Sequence, residues 1–248
     1  DKAVWKQMAE ELGLQALGIP EEFGGQGFGP VEQYVVFEEM GAALLCAPYF
    51  STVALAANAL LTSGDDAAKA AYLPGIAAGE TIATLALTDD NGDWEPSATE
   101  VTAAGSGDSY TVTGVKNYVI DGSIADLILV TAKTAKGLSL FAVEGSASGL
   151  SKELLPTMDQ TRKQSRLEFN NTPARLIGTE GGAEAGIKKT LQRAATLLAA
   201  EQTGGAQRCL DNAVAYAKER VQFGRPIGSF QAIKHKAADM LLEVESAK

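Results

Sequence analysis

Hydrophobic positions along this chain change period twice, and the changes divide it into three blocks. Up to about Gly79 they recur at helical spacing. Val4, Met8, Leu12 and Leu14 share a face ahead of Gly18-Ile19-Pro20. A glycine-rich turn follows, Phe23-Gly24-Gly25-Gln26-Gly27-Phe28-Gly29-Pro30. Pro30 opens a helix that runs through Met40, since a first-turn proline gives up an N–H that has no partner inside the helix. Ala-rich stretches over 52–61 and 65–73 predict two more helices, with Asp65 as N-cap and Pro74-Gly75 as the stop.

From about Thr81 to Pro173 the period shortens. Segments 82–87, 109–113, 117–120, 127–131, 139–143 and 166–169 are rich in β-branched or apolar residues and are separated by Gly, Asp and Ser clusters. Residues 109–113 alternate and meet a turn glycine at Gly114. No long helices separate these strands, which predicts an antiparallel barrel or sandwich. The third block begins near Gly181-Gly182. Ile187, Leu191, Ala194 and Leu198, and later Leu210, Val214, Ala217 and Val221, step by three or four, predicting one long helix over 183–221. Gly224-Arg225-Pro226 breaks it, and a second helix from about Ser229 is still running at Lys248. Two amphipathic helices leave apolar faces that further chain or other subunits are expected to cover. The expected fold is therefore multidomain α and β: an N-terminal helical domain (1–80), a middle antiparallel β domain (81–176), and the first helices of a C-terminal helical bundle (177–248).

Composition narrows the chemistry. A net charge of -10 weighs against nucleic acid as a partner. Cys46 and Cys209 are the two cysteines, both within apolar patterns that predict buried thiols rather than a disulfide framework. No apolar run is long enough to span a membrane and no signal peptide is visible, which fits a reducing cytoplasm. His235 is the one histidine, so multi-histidine metal sites are excluded and a Ser-His-Asp hydrolase would depend on it alone. Carboxylates or a cofactor must carry any chemistry.

One long segment stands out: Glu219-Arg220-Val221-Gln222-Phe223-Gly224-Arg225-Pro226-Ile227-Gly228-Ser229-Phe230-Gln231-Ala232-Ile233-Lys234-His235-Lys236-Ala237-Ala238-Asp239-Met240. It resembles the C-terminal signature of the acyl-CoA dehydrogenase flavoproteins. Two shorter segments agree. Leu85-Ala86-Leu87-Thr88-Asp89-Asp90-Asn91-Gly92-Asp93 resembles the family's Leu-Thr-Glu-Pro strand end and following loop, although that loop is shortened and lacks the proline and serine. Gly114-Val115-Lys116-Asn117-Tyr118-Val119-Ile120-Asp121-Gly122 resembles Gly-x-Lys-x-Trp-Ile-Thr-Asn-Gly. Phe23-Gly24-Gly25-Gln26-Gly27 matches a common family turn and carries no catalytic role.

The resemblance implies FAD as cofactor, an acyl-CoA substrate desaturated between its α and β carbons, and an electron-transfer flavoprotein as acceptor. It also implies a homo- or hetero-oligomer, a dimer of dimers, in which the signature segment serves a flavin across a subunit interface. By position, Arg220 would pair with the pyrophosphate, Phe223 would pack on the dinucleotide and Gln231 would hydrogen-bond near it. Leu85, Leu87 and Thr88 would meet the flavin's pyrimidine edge and ribityl chain. Tyr118 stands for the tryptophan that covers one flavin edge. Ile120 stands where a threonine hydroxyl bonds near the reactive nitrogen, a bond that isoleucine cannot make.

The catalytic base of most members lies in a segment that would follow Lys248. In a minority it lies on the long helix, at the position of Ala194, with a substrate-holding arginine at the position of Ala195. Glu201, two turns on and about 10 Å away, could line the flavin cavity without being the base. Two alternatives follow. The chain could be a non-catalytic partner subunit that lends Arg220, Phe223 and Gln231 to a shared FAD site. It could also be a flavin monooxygenase of the same fold.

Overall fold

The period-two block closes into a barrel. Its strands are β1 (Ala83–Ala86), β2 (Thr102–Ser106), β3 (Ser109–Ile120), β4 (Leu127–Thr134), β5 (Gly137–Glu144), β6 (Leu150–Leu154) and β7 (Gln164–Ile177). Pairing runs β4-β2-β3-β7-β5, and β5 pairs back onto β4, which completes the ring. β1 extends it from β4, and β6 lies along β7. The computed structural model describes residues 2–107 and 109–248.

Alternation explains why β4 and β5 read as unbroken apolar runs. Leu127, Leu129, Leu140 and Ala142 face one core, shared with the helices. Ile128, Val130, Phe141 and Val143 face a second core inside the barrel, with Val112, Leu167 and Phe169. Strands buried on both faces carry no polar side. At one end of the barrel core Tyr110 packs on Phe141, ring centroids 5.2 Å apart.

The expected antiparallel ladder holds for most pairs, but β1–β4 and β2–β4 are parallel. β2 and β6 give little sequence signal because both are short and half-polar. The two predicted strands 109–113 and 117–120 are one strand, β3. Its register shifts between Val112 and Gly114 and again between Lys116 and Val119. Gly114 is thus the seat of a β-bulge and not a turn. Its φ of 137° and the backbone of Val101, 3.0 Å from where a Cβ would sit, call for glycine there.

The helices are α1 (Lys2–Glu10), α2 (Pro30–Ala43), a π-helical segment (Phe50–Ala57) leading into α3 (Asn58–Thr62), α4 (Asp66–Ala77), α5 (Glu184–Glu219) and α6 (Gln231–Ala247). α4 passes through Pro74-Gly75 instead of stopping there. Buried Leu73, Ile76 and Ala77 hold the extra turn in the core. That burial outweighs the hydrogen bond Pro74 cannot donate. Wide π turns recur near functional sites, and this one carries Ser51, which reappears below. The apolar patterns around the cysteines predict buried thiols, yet Cys46 and Cys209 are both exposed. Cys46 lies in the loop after α2 rather than on a helix, and Cys209 on an outward face of α5. Among the described residues no helix is long and apolar enough to cross a membrane.

By internal contact the chain forms two units. One takes the chain up to Gly29 and again over Cys46–Ala194; the other takes Pro30–Leu45 and Ala195–Lys248. Within the second, α2 and α5 cross at glycines. A Cβ on Gly41 would lie 1.8 Å from the Glu201 carbonyl oxygen, and one on Gly204 would lie 1.8 Å from that of Glu38. Arg208 Nε donates to Ala42 O at the same crossing, 3.2 Å.

Asp65 caps α4 as the sequence implies. Its carboxylate accepts from the N–H of Ala68 and of Gly178, each at 2.9 Å. Partial burial opposes its ionisation, but these N–H groups, with the charge of Arg175, hold its pKa below the ordinary value. A depressed carboxylate pKa adds stability above the unfolded-state value and loses it as pH falls through the folded one. Asp65→Ala is therefore expected to cost about 1–2 kcal/mol at pH 7. Urea melts should show that gap narrowing as pH drops below 3.8, the ordinary value.

Candidate functional site

β1 ends in Leu85 and Ala86, and the chain then runs through Leu87 and Thr88 to Asp89. Leu85 is buried against the helices, and Leu87 and Thr88 are half-buried. The Thr88 carbonyl accepts from Asn117 N, 2.8 Å. Its amide and hydroxyl have no partner among the described residues. Asp89, by contrast, is saturated. Its carboxylate accepts from Thr99 Oγ1 (3.1 and 3.0 Å to its two oxygens), from Glu100 N and from Lys116 Nζ.

Lys116 is the centre of this arrangement. It comes off β3 between the two bulges, and its side chain is fully buried. Besides Asp89, Nζ donates to Leu87 O at 2.7 Å, Thr99 Oγ1 at 2.8 Å and Thr131 Oγ1 at 3.0 Å. Burial pulls the Lys116 pKa down to about 8, against the hydrogen bond and charge of Asp89, which favour the ammonium. Asp89 favours the ammonium form, whose three protons are shared among these four acceptors.

Beyond Lys116 the second bulge turns Tyr118 outward. Tyr118 has φ of 56° and is 54% exposed. Asn117 Oδ1 accepts from the Tyr118 amide, 3.0 Å. Ile120 is half-buried, and its carbonyl accepts from Thr84 Oγ1 at 2.6 Å. The next residue, Asp121, has φ of 54° and accepts from Ser51 Oγ at 2.7 Å. Burial raises its pKa, while the Ser51 hydroxyl and the charges of Arg162 and Lys163 work against that rise. The end of β1 and the end of β3 are thus cross-bonded at Thr88, Lys116 and Ile120. Leu85, Leu87, Thr88, Tyr118 and Ile120 lie together on these two adjoining segments.

The other predicted residues lie in the second unit. After α5 a two-stranded hairpin, β8 (Val221–Gln222) and β9 (Arg225–Pro226), turns through Phe223 and Gly224 with φ of 54° and 79°. Two successive positive φ values are the geometry of a tight hairpin turn. The turn puts Phe223 at the tip, 92% exposed. Phe230 meets it edge-on at 6.2 Å and carries the Arg225 guanidinium 4.1 Å over its ring. Ile227 N donates to Arg220 O, 2.8 Å, which fixes the base of the hairpin. The side chains of Arg220 and Gln231 are exposed and have no polar partner among the described residues. Ala194 is buried and Ala195 exposed, and neither carries a titratable group. Glu201 is half-buried, its backbone against Gly41 of α2. Among the described residues no cluster of His, Cys, Asp and Glu could hold a metal ion.

Sequence reasoning misses the Lys116–Asp89–Thr99–Thr131 network, although Lys116 and Asp89 both stand within the quoted motifs. A lysine amid the alternation of a strand is the available signal. Its partners are 15 to 29 residues away in sequence and meet it only through barrel closure. Removing one member of a buried pair leaves the other charge unpaired, at a cost of about 3–5 kcal/mol. Asp89→Ala is expected to lose that much in chemical denaturation. Thr88→Ala, which breaks no side-chain bond in the fold, should stay within about 0.5 kcal/mol.

Three family models match: the acyl-CoA dehydrogenase N-terminal domain over residues 1–80, the middle domain over 84–172 and the C-terminal domain over 182–248. Acyl-CoA dehydrogenase IpdE2 of Mycobacterium tuberculosis is 36% identical over all of this chain, which spans 63% of that protein. Among solved structures, the Tcur3481-Tcur3483 steroid ACAD variant matches with a TM-score of 0.87 at 35% identity, over 99% of this chain and 65% of that one. The ChsE4-ChsE5 complex of Mycobacterium tuberculosis matches with a TM-score of 0.88 at 32% identity, over 99% and 65%. The chain spans a little under two thirds of the length of these relatives. With three domain matches in order and the barrel flanked by helices as the sequence implies, the chain belongs to the acyl-CoA dehydrogenase family.

Proposed function

We propose that this chain builds part of the FAD site of an acyl-CoA dehydrogenase that desaturates an acyl-CoA thioester between its α and β carbons and passes electrons to an electron-transfer flavoprotein. The observation that carries this reading is the half-buried Thr88, whose amide and hydroxyl have no partner among the described residues, beside an Asp89 carboxylate and a Lys116 ammonium that are each bonded several times over. Such donors suit the carbonyl and ring-nitrogen acceptors on the pyrimidine edge of an isoalloxazine. Bound FAD supplies the acceptor for the hydride that leaves the β carbon.

The residues of this chain have separate tasks in that reading. Thr88 donates to the flavin edge, and the backbone of residues 85–87 carries it there, with the Leu85 side chain anchored in the core. Tyr118 shields an edge of the ring. Arg220 offers an unpaired guanidinium fork to the pyrophosphate. Phe223 presents an apolar face, and Gln231 an amide. These last three serve the flavin of a neighbouring subunit, which makes the working protein an oligomer.

A second reading is favoured by Ala194, Ala195 and Ile120, which lack the groups the resemblance would assign for proton removal, substrate holding and flavin bonding. In that reading the chain is a non-catalytic subunit that lends Arg220, Phe223 and Gln231 to a shared site. One of the similar structures is itself a complex of two differently named chains, ChsE4 and ChsE5.

The absorbance spectrum of the purified protein separates the readings. A flavin band near one FAD per chain, bleached by acyl-CoA, supports the enzyme. A band that appears only with a partner chain supports the shared-site subunit, and no band with either removes the cofactor assignment. Arg220→Ala should weaken FAD binding about tenfold, the loss of roughly 1.5 kcal/mol from a charge-assisted bond. Because that side chain has no partner among the described residues, the melting temperature should not move.

A further inference from the structure

We infer that Lys116 is a positioning residue for the flavin: by holding the Leu87 carbonyl inward, it aims the Thr88 amide outward at the ligand. This inference rests on the FAD reading above and assigns the aiming to a residue that would not itself touch the cofactor.

Leu87 C=O and Thr88 N–H belong to one planar trans peptide, so they point in opposite directions. Lys116 Nζ bonds Leu87 O at 2.7 Å from the buried side. The Thr88 N–H is thereby turned away from the barrel interior, to a place where no described group meets it. The following peptide is fixed too, since Thr88 O accepts from Asn117 N at 2.8 Å. Thr88 is clamped on both sides, and both clamps come from adjacent residues of β3. Asp89 then anchors the chain one residue on, through Lys116, Thr99 and Glu100.

Stability alone does not account for an ammonium at this place. A buried ion pair is commonly matched or exceeded by apolar groups of the same volume, because desolvating two charges is costly. A methionine at position 116 would fill the space but would donate to neither Leu87 O nor Asp89. What Lys116 adds is direction: its N–H bonds fix one peptide plane. Rigid support of this kind matters for a ligand site, because donors must be held within about 0.5 Å of their productive positions.

The test uses the full chain, with its partner chain if one is needed to hold FAD. Lys116→Met combined with Asp89→Asn removes both charges and leaves no buried ion unpaired. Thr99→Val is a milder, near-isosteric variant that removes only the hydroxyl joining Lys116 to Asp89. For each, FAD affinity is titrated by flavin fluorescence, the visible band of the bound flavin is recorded, and the melting temperature of the apoprotein is measured.

The double variant is expected to bind FAD at least about tenfold more weakly, with its bound band shifted toward that of free FAD and an affinity loss larger than its lowered melting temperature accounts for. Thr99→Val should lose about threefold. Thr88→Ala should weaken binding in the wild type and add little in the double variant, since the Thr88 donors are already misaimed there. Unchanged affinity and an unchanged band in folded Thr99→Val and double-variant protein would overturn the inference. So would an affinity loss that merely tracks the drop in melting temperature, with the bound spectrum intact. Wild-type protein that takes up no FAD, alone or with a partner, would sink the cofactor reading itself and this inference with it.

Discussion

A fully buried ammonium governs the geometry at the end of the barrel. Lys116 has no water to meet, so the protein must surround its Nζ with acceptors. It draws them from four places: Leu87 just after β1, the loop at Asp89, Thr99 just before β2, and β4 at Thr131. Several of these partners are bonded to one another as well. Thr99 donates to Asp89, and Asp89 accepts the Glu100 amide. A network this closed has little freedom to relax, so the strands that supply it are locked in register around one point. The two bulges of β3 make this possible. They change the strand's twist and let Lys116 face inward while Tyr118, two residues later, faces out.

Much of the architecture is legible because its signals are local. Pro30 at a helix start, Asp65 as a cap and the three-to-four spacing from Ile187 to Ala217 each act within a turn or two of chain. The break after α5 at Gly224-Arg225-Pro226 is legible for the same reason, and the structure makes it a two-stranded hairpin turning through Phe223-Gly224. The signature over 219–240 can be read at full length because it is one continuous segment.

What is not legible depends on residues far apart. Gly114 looks like a turn from its neighbours alone, and only the approach of Val101 makes it a bulge. Pro74 looks like a stop until the burial of Leu73, Ile76 and Ala77 is known. Cys46 sits in an apolar stretch but falls on a loop once α2 ends at Ala43. The glycines at 41 and 204 give no signal in sequence, being two helical glycines with poor propensity. Their reason is a backbone-to-backbone crossing of α2 and α5. At Gly114, Pro74 and the paired glycines a long-range contact overrides a local preference, and the same holds for Lys116.

The contrast between Thr88 and Asp89 is what the proposed flavin reading rests on. Both are short polar residues at the end of one strand. Asp89 accepts from Thr99, Glu100 and Lys116, while Thr88 keeps its amide and hydroxyl open. A fold that optimised stability alone would share its donors and acceptors more evenly, because an unpaired polar group in a half-buried place gains nothing. The Asp89 carboxylate and Lys116 take the nearby side-chain partners, Thr99 and Thr131, and the amide and hydroxyl of Thr88 stay open among the described residues. That division of labour does not require the catalytic base to lie anywhere in this chain. On the proposed reading, holding the flavin and removing the proton are separate tasks, and Ala194 and Ala195, which carry no titratable group, leave this chain the first.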